Sequence, residues 1–125
     1  MKVCIIDDST ATRFMIAKIM RDLGYVPFEA GDGKDALDKL ALNQDTDLVL
    51  VDWNMPVMNG LDFVVNARKD PRFKQMKFMM VTTEAELTSV VKALEVGANE
   101  YVMKPFTKEM LADKIRILGL PITQG

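Results

Sequence analysis

Short apolar runs alternate along the chain with segments of helical period, and this alternation predicts the architecture. The runs predicted as strands occupy residues 3–6, 26–28, 48–51, 78–81 and, more weakly, 101–103. Runs 3–6 and 48–51 are apolar without alternation, which is typical of parallel strands buried on both faces. Because strands that alternate with helices form a doubly wound sheet, the sequence predicts an α/β fold with a five-stranded parallel sheet and five helices.

The helical segments carry recognisable ends. Gly24 is expected to end the first helix, Asp32 to cap the second, the third is expected over residues 61–68, and the last begins near Thr107. The pair Asn59-Gly60 is predicted to form a tight turn. Apolar positions recur with helical spacing in three helices: Met15, Ile19, Met20 and Leu23; Leu87, Val90, Val91 and Leu94; and Met110, Leu111, Ile115 and Leu118.

Polar residues follow four of the five predicted strands, directly or within two residues. They are Asp7 and Asp8 after the first strand, Asp52 after the third, Thr82 and Thr83 after the fourth, and Lys104 and Pro105 after the fifth. Ligands of open parallel sheets bind outside the carboxyl ends of the strands. If strands one, three, four and five lie side by side, these polar side chains converge on one shallow pocket.

The composition of such a pocket indicates its chemistry. Three carboxylates repel one another and need a compensating cation. Lys104 can offset one charge, and a divalent metal with oxygen ligands would offset the rest; Mg²⁺ fits best, since it takes one or two carboxylates together with phosphate oxygens. A metal ion, a lysine and a hydroxyl around a carboxylate form a phosphoryl-transfer site, in which a carboxylate attacks phosphorus in line.

Each of these residues also has a simpler structural interpretation. Asp7, Asp8 and Ser9 could merely cap the first helix, and Thr82 could cap the fourth. Asp52 could be an ordinary acid in a turn. Independent caps need not fall on the same sheet edge four times, so their coincidence favours a functional site.

At this point the residues resemble a known family. The signature of bacterial response-regulator receiver domains is matched, in order, by Asp7-Asp8, Asp52, Thr82 and Lys104-Pro105. Residues 52–56 and 104–107 resemble in particular the single-domain chemotaxis regulators. The resemblance covers nearly the whole chain and implies one receiver domain over residues 1–125, with the flavodoxin-like strand order 2-1-3-4-5. It also implies a phosphorylation-activated regulator of two-component signalling.

The resemblance assigns roles within the pocket. Asp52 would be the phosphoacceptor. Mg²⁺ would be bound by Asp8, Asp52 and the backbone carbonyl oxygen of Asn54, while Asp7 would act through water or through contacts to the other ligands. Lys104 would bind the phosphoryl group and the carboxylates, and a cis peptide bond is implied between it and the following proline.

The resemblance also implies a switch and an output face. Thr82 would turn inward to the phosphoryl oxygen, and Tyr101 would change its exposure in step. A very small residue usually follows the switch threonine, whereas this chain has Thr83, so Thr83, Asn54 and Glu84 are expected to tune the rates of phosphorylation and dephosphorylation. The expected partner face consists of Val90, Leu94, Tyr101, Met103, Phe106 and Lys114.

Composition narrows the remaining classes of function. Sixteen Lys and Arg against eighteen Asp and Glu give a net charge of -2, which argues against nucleic-acid binding. The absence of histidine removes imidazole bases and ordinary zinc sites. The single cysteine, Cys4, fits a reducing cytoplasm. No apolar run approaches the ~20 residues that span a bilayer, so no membrane association is expected.

The expected partners are a histidine kinase as phosphodonor, a flagellar motor switch protein and a phosphatase. The chain is expected to catalyse only its own phosphoryl transfer and dephosphorylation, and to signal by binding. A phosphorelay shuttle, or a receiver of another kinase pathway, is the alternative within the family. Two other classes stay open: a metal-dependent phosphohydrolase with aspartyl-phosphate chemistry, and a non-phosphorylated interaction module of the same fold.

Overall fold

Five strands and five α-helices alternate along the part of the chain that the structure describes. The structure, a computed structural model, describes residues 1–123 except for the side chain of Glu84. The strands are β1 (Lys2–Ile6), β2 (Val26–Ala30), β3 (Leu48–Asp52), β4 (Lys77–Thr82) and β5 (Glu100–Met103). The helices are α1 (Thr10–Asp22), α2 (Gly33–Ala41), α3 (Gly60–Arg68), α4 (Val90–Glu95) and α5 (Lys108–Ile117). Short 3₁₀ helices lie at Pro71–Phe73 and Glu84–Ser89.

The sheet is parallel with the order β2-β1-β3-β4-β5, which confirms the predicted fold class. Every residue of β3 is buried, as its uninterrupted apolar run predicts. Alternate side chains of β1 point to opposite faces: Val3 and Ile5 join a core cluster with α1 and α5, and Cys4 and Ile6 join a second cluster with α2, α3 and α4. Among residues 1–123, no helix is long and apolar enough to cross a membrane.

Side-chain caps define where four of the helices begin. Ser9, Asp32, Asn59 and Thr107 each accept a hydrogen bond from the backbone N–H three residues ahead, at 3.2, 2.8, 2.8 and 3.1 Å. The caps at Asp32 and Thr107 agree with the sequence pattern. Asn59 was predicted to form a turn with Gly60, and that prediction is wrong, because the Asn59 side chain instead caps α3.

Some residues of the predicted apolar faces of α1, α4 and α5 are exposed rather than buried. Met15 is 52% exposed, because α1 packs on the neighbouring stripe of Ile16, Met20 and Leu23. Val91 and Leu94 are 61% and 40% exposed, while Val90 and Ala93 are buried. The 3₁₀ helix that precedes α4 has about three residues per turn, so an apolar repeat counted from Leu87 at 3.6 residues per turn is out of phase with the face that α4 buries. In α5, Leu111 and Ile115 are buried as predicted, whereas Met110 is 42% exposed.

One arginine ties the end of α3 to the start of β4 and to the turn before β5. Arg68 donates hydrogen bonds to the carbonyl oxygens of Gly97 (2.9 Å) and Met76 (3.0 Å) and to Oδ1 of Asn99 (2.8 Å). Its guanidinium carbon lies 4.1 Å from the centroid of the Phe78 ring. Arg68 therefore satisfies acceptors on three segments that approach one another at the edge of the sheet opposite to the candidate site.

We expect Arg68→Ala to lower the free energy of unfolding by about 2–4 kcal/mol, because the variant leaves several partly buried acceptors without donors and removes a cation–π contact. Urea denaturation followed by circular dichroism measures the change. The matched control is Arg116→Ala, since Arg116 is exposed and pairs with Asp113 at 3.0 Å; its effect should stay within about 0.5 kcal/mol. Equal losses in the two variants would contradict this account of Arg68.

Candidate functional site

The carboxyl edge of the sheet gathers the acidic residues that the sequence places at the strand ends. Asp7 and Asp8 follow β1, and Asp52 is the last residue of β3, which pairs with β1. Carboxylate oxygens of the three residues all lie within 4.8 Å of one another. The Nζ of Lys104, which follows β5, lies 3.1 Å from Oδ1 of Asp52 and 3.6 Å from Oδ2 of Asp7. The peptide bond between Lys104 and Pro105 is cis.

The environment of Asp52 disfavours its charge. Asp52 is only 7% exposed, and Asp7 is 2% exposed. Burial, followed by the negative charge of Asp7, raises the pKa of Asp52 to about 6, although Lys104 opposes the shift. Burial lowers the pKa of Lys104, but the carboxylates of Asp52 and Asp7 outweigh burial, and the net direction is upward. Lys104 therefore remains a cation beside a carboxyl group whose pKa lies closer to neutral pH than that of an ordinary aspartate.

The donor set fits a hard divalent cation. Oδ1 of Asp7 accepts a hydrogen bond from the backbone N–H of Ser9 at 2.8 Å. Oδ2 of Asp7 is buried and, among the described residues, has no hydrogen-bond donor. Three carboxylates face one ammonium group, which leaves an uncompensated negative charge in a partly desolvated pocket. Such oxygen ligands, with room for water at exposed Asp8, are those that Mg²⁺ prefers.

The two residues predicted to form a switch lie on neighbouring strands. Thr82 is fully buried at the end of β4, and its hydroxyl donates a hydrogen bond to the carbonyl oxygen of Thr83 at 3.1 Å. Tyr101 lies on β5 and is half-buried. The Nζ of Lys114 lies 4.3 Å from the centroid of the Tyr101 ring and 3.1 Å from Oε1 of Glu100. The hydroxyl of Thr82 is thus paired with its own loop, and Tyr101 is held by a cation from α5.

The expected partner face is only partly assembled. A surface cavity of about 310 Å³ lies between β5 and α5, lined by Tyr101, Val102, Met103, Met110, Asp113 and Lys114. Leu94 is exposed on α4. The prediction for Val90 is wrong, because Val90 is 2% exposed and packs inward. The prediction for Phe106 is also wrong, because the loop after β5 turns towards α1, where Phe106 lines a separate cavity of about 380 Å³ with Thr12 and Met15.

The sequence analysis did not identify Glu86, which connects the loops that follow β3 and β4. Its Oε1 accepts hydrogen bonds from the backbone N–H and the Oγ–H of Thr83, both at 3.0 Å. Its Oε2 accepts a hydrogen bond from the side-chain amide of Asn54. The Thr83-x-x-Glu86 spacing is that of a helix capping box, and this sequence pattern could have identified Glu86. The side chain of Glu84, expected to tune rates, lies outside the described residues.

Arg13 was missed as well. From α1 it donates to the backbone carbonyl oxygen of Asp7, and its Nε lies 3.1 Å from Oε1 of Glu29 on β2. Arg13 therefore anchors the loop that carries the two acidic residues after β1. The spacing of Asp7 and Arg13, six residues apart at the start of an amphipathic helix, gave no distinctive signal.

Comparison with known proteins places this site in a family. The family described as response regulator receiver domain matches residues 3–116. The chain belongs to the response regulator receiver family. Chemotaxis protein CheY1 of Helicobacter pylori is 43% identical over 119 residues, which cover 94% of this chain and 96% of that protein. The chemotaxis protein CheY homolog of Campylobacter jejuni is 39% identical over 127 aligned positions, which cover 100% of this chain and 98% of that protein.

Solved structures agree with this receiver fold. The chemotaxis response regulator CheY4 of Vibrio cholerae superposes with a TM-score of 0.85 at 35% identity, covering 94% of this chain and 97% of that chain. The resemblance noted from the sequence is confirmed. By its family and relatives, this receiver is a phosphorylation-activated response regulator of the chemotaxis type, and a signalling regulator rather than a classical enzyme.

We expect Asp52→Asn to raise the free energy of unfolding at pH 7 by about 2–3 kcal/mol in metal-free buffer. The raised pKa of Asp52 means that its folded carboxyl prefers the neutral form, so the wild-type receiver loses stability as the pH rises through about 6. The amide cannot ionise, and the gain should therefore vanish below about pH 4. Urea denaturation in EDTA at several pH values measures it.

Asp38→Asn is the control for this experiment, because Asp38 is exposed on α2 and outside the pocket. Its effect should stay within about 0.5 kcal/mol at every pH. An Asp52→Asn variant that is less stable than wild type at pH 7 would mean that Asp52 is not destabilised by its neighbours.

Proposed function

We propose that Asp52 accepts a phosphoryl group from the phosphohistidine of a histidine kinase. The observation that carries this proposal is the position of Asp52: its buried carboxylate lies 3.1 Å from Nζ of Lys104 and within 4.8 Å of carboxylate oxygens of Asp7 and Asp8. In the transfer, an oxygen of Asp52 forms a bond to phosphorus while the bond from phosphorus to the imidazole nitrogen breaks. The imidazole leaves with that electron pair and later takes a proton from water.

The neighbours of Asp52 supply the electrostatic part of the reaction. Lys104 neutralises charge on the transferred group through its ammonium, which already contacts Asp52 and faces Asp7. Mg²⁺ would be held by Asp8, Asp52 and the backbone carbonyl oxygen of Asn54, with Asp7 acting through water, and it would stabilise negative charge on the phosphoryl oxygens. The orphaned Oδ2 of Asp7 supports this assignment, since it is buried and lacks a hydrogen-bond donor among the described residues.

Phosphorylation would then alter the pairing of Thr82. The phosphoryl group adds roughly -1.5 to -2 charge and three strong acceptor oxygens at the end of β3. A phosphoryl oxygen is a stronger acceptor than the Thr83 carbonyl that now receives the Thr82 hydroxyl. Thr82 would move to the phosphoryl group, and Tyr101 and Lys114 on β5 and α5 would rearrange in step. A partner that prefers the rearranged surface converts this change into a population shift.

The output partner that best fits this surface is a flagellar motor switch protein. The cavity between β5 and α5 offers an aromatic ring, methionine side chains and a cation, which suits an amphipathic segment of the partner. Hydrolysis of the aspartyl phosphate, by the receiver itself or with a phosphatase, would reset the signal. We place the receiver in the cytoplasm, because the thiol of Cys4 is free and buried.

Intact-mass spectrometry tests the phosphoacceptor. After incubation with a small phosphodonor and Mg²⁺, the wild-type receiver should gain the mass of one phosphoryl group, whereas Asp52→Asn should gain none, because the amide is a poor nucleophile. Asp38→Asn serves as the control, since it removes an exposed carboxylate of the same type. A full-strength adduct on Asp52→Asn would remove Asp52 from its assigned role.

Pull-down of a motor switch peptide tests the output surface. The phosphorylated receiver should retain the peptide more strongly than the unmodified receiver, and Tyr101→Ala should weaken the phosphorylated complex by about tenfold or more, since buried tyrosines are frequent hot spots. Phe14→Ala is the matched control, because Phe14 is an aromatic residue of α1 that is 68% exposed. Equal retention of the phosphorylated and unmodified forms would favour another output pathway.

A further inference from the structure

One carboxylate joins the two loops beside Asp52 without belonging to the acidic cluster of Asp7, Asp8 and Asp52. Glu86, in the 3₁₀ helix Glu84–Ser89, accepts both donors of Thr83 at 3.0 Å. Its second oxygen accepts the side-chain amide of Asn54. A simple helix cap needs only Thr83. The contact with Asn54 joins the loop after β3 to the loop after β4, and a cap does not require it.

The register of the sheet places both loops beside the phosphoacceptor. Asp52 pairs with Val81, and the backbone N–H of Trp53 donates to the carbonyl oxygen of Val81 at 3.2 Å. Asn54 and Thr83 each lie two residues beyond the Asp52–Val81 pair, where the two strands leave the sheet. A carboxylate that bridges Asn54 and Thr83 therefore lies at the carboxyl ends of β3 and β4, next to the strand end that carries Asp52.

We infer that Glu86 is an anionic latch that holds the two loops together in the unphosphorylated receiver and opposes the entry of anionic phosphodonors. The inference rests on the proposed role of Asp52 as phosphoacceptor. Glu86 acts as a positioning residue: its carboxylate occupies hydrogen-bond donors of Asn54 and Thr83 at the strand ends beside Asp52, and its charge repels an incoming phosphoryl group. Release of the latch frees those donors for the phosphoryl oxygens.

The latch also bears on Thr82. The Thr82 hydroxyl donates to the carbonyl oxygen of Thr83, and Glu86 holds Thr83 by its backbone N–H and its hydroxyl. Glu86 therefore stabilises the residue to which Thr82 is paired in the resting arrangement. A phosphoryl group on Asp52 would weaken the latch by like-charge repulsion while it competes for Thr82. The two changes favour the same rearranged state.

Glu86→Gln tests the latch, because the amide keeps the size of the side chain and removes its charge. The rate of phosphorylation is followed by intact mass with saturating Mg²⁺, using acetyl phosphate as a dianionic donor and phosphoramidate as a donor of lower charge. With acetyl phosphate at low salt we expect Glu86→Gln to react roughly three- to tenfold faster than wild type. The gain should be smaller with phosphoramidate, and should shrink at about 1 M KCl, where the screening length is only about 3 Å.

Glu95→Gln is the matched control. Glu95 is an exposed glutamate at the far end of α4, and its neutralisation should leave the rate unchanged. A Glu86→Gln rate equal to that of Glu95→Gln, or slower than wild type, would overturn the latch. So would an acceleration that is the same for both donors and at both salt concentrations, since that result would assign Glu86 a purely structural capping role.

Two further measurements distinguish failure of the latch from failure of the proposed function. Absence of an Asp52-dependent adduct on wild type would refute the proposed function, whatever Glu86 does. If circular dichroism shows that Glu86→Gln does not fold, Thr83→Val replaces it, because valine retains the shape of Thr83 and removes the hydroxyl that donates to Glu86. We expect Thr83→Val to react about twofold faster than wild type, since one of the latch hydrogen bonds is lost; an unchanged rate would overturn the latch.

Discussion

Three carboxylates held close together at a rigid sheet edge are the constraint on which the rest of this receiver depends. β1 and β3 are central strands packed on both faces, so Asp7 and Asp52 cannot separate without disrupting the core. Burial and the negative charge of Asp7 raise the pKa of Asp52 to about 6, although Lys104 opposes the shift. Added positive charge stabilises such a pocket, and in the proposed function it would couple cation binding to the reactivity of Asp52.

The sheet was predictable because its signal is local. Uninterrupted apolar runs identify β1 and β3, and the polar residue after each run identifies the carboxyl edge. The order of the strands was predicted only from the family resemblance, since apolar runs do not indicate which strands are neighbours. The apolar face of α4 was only partly predicted, because a 3₁₀ helix precedes it and shifts the phase of the repeat: Val91 and Leu94 turned out exposed.

The pocket was predictable for the same reason as the sheet, whereas its rim was not. Asp7, Asp52 and Lys104 follow strands, and strands set their positions. Phe106 was misplaced because the path of the loop after β5 depends on packing against α1. Glu86 was missed because its partner Asn54 lies 32 residues away in sequence, and no periodic pattern connects a short 3₁₀ helix with the loop after another strand.

Thr82 lies between the Asp52 site and the cavity beside α5, and its hydrogen bond and strand pairing connect the two. Thr82 is fully buried on β4, between β3, which carries Asp52, and β5, which carries Tyr101. Its hydroxyl donates a hydrogen bond to the carbonyl oxygen of Thr83. The hydroxyl must break this bond before it can donate to a new acceptor on Asp52. Because Thr82 pairs with Met103 across the β4–β5 ladder, a movement at this strand end is transmitted to the residues that line the cavity beside α5. In the proposed switch, a charge on Asp52 would therefore act on this cavity through one buried hydroxyl and one strand pairing.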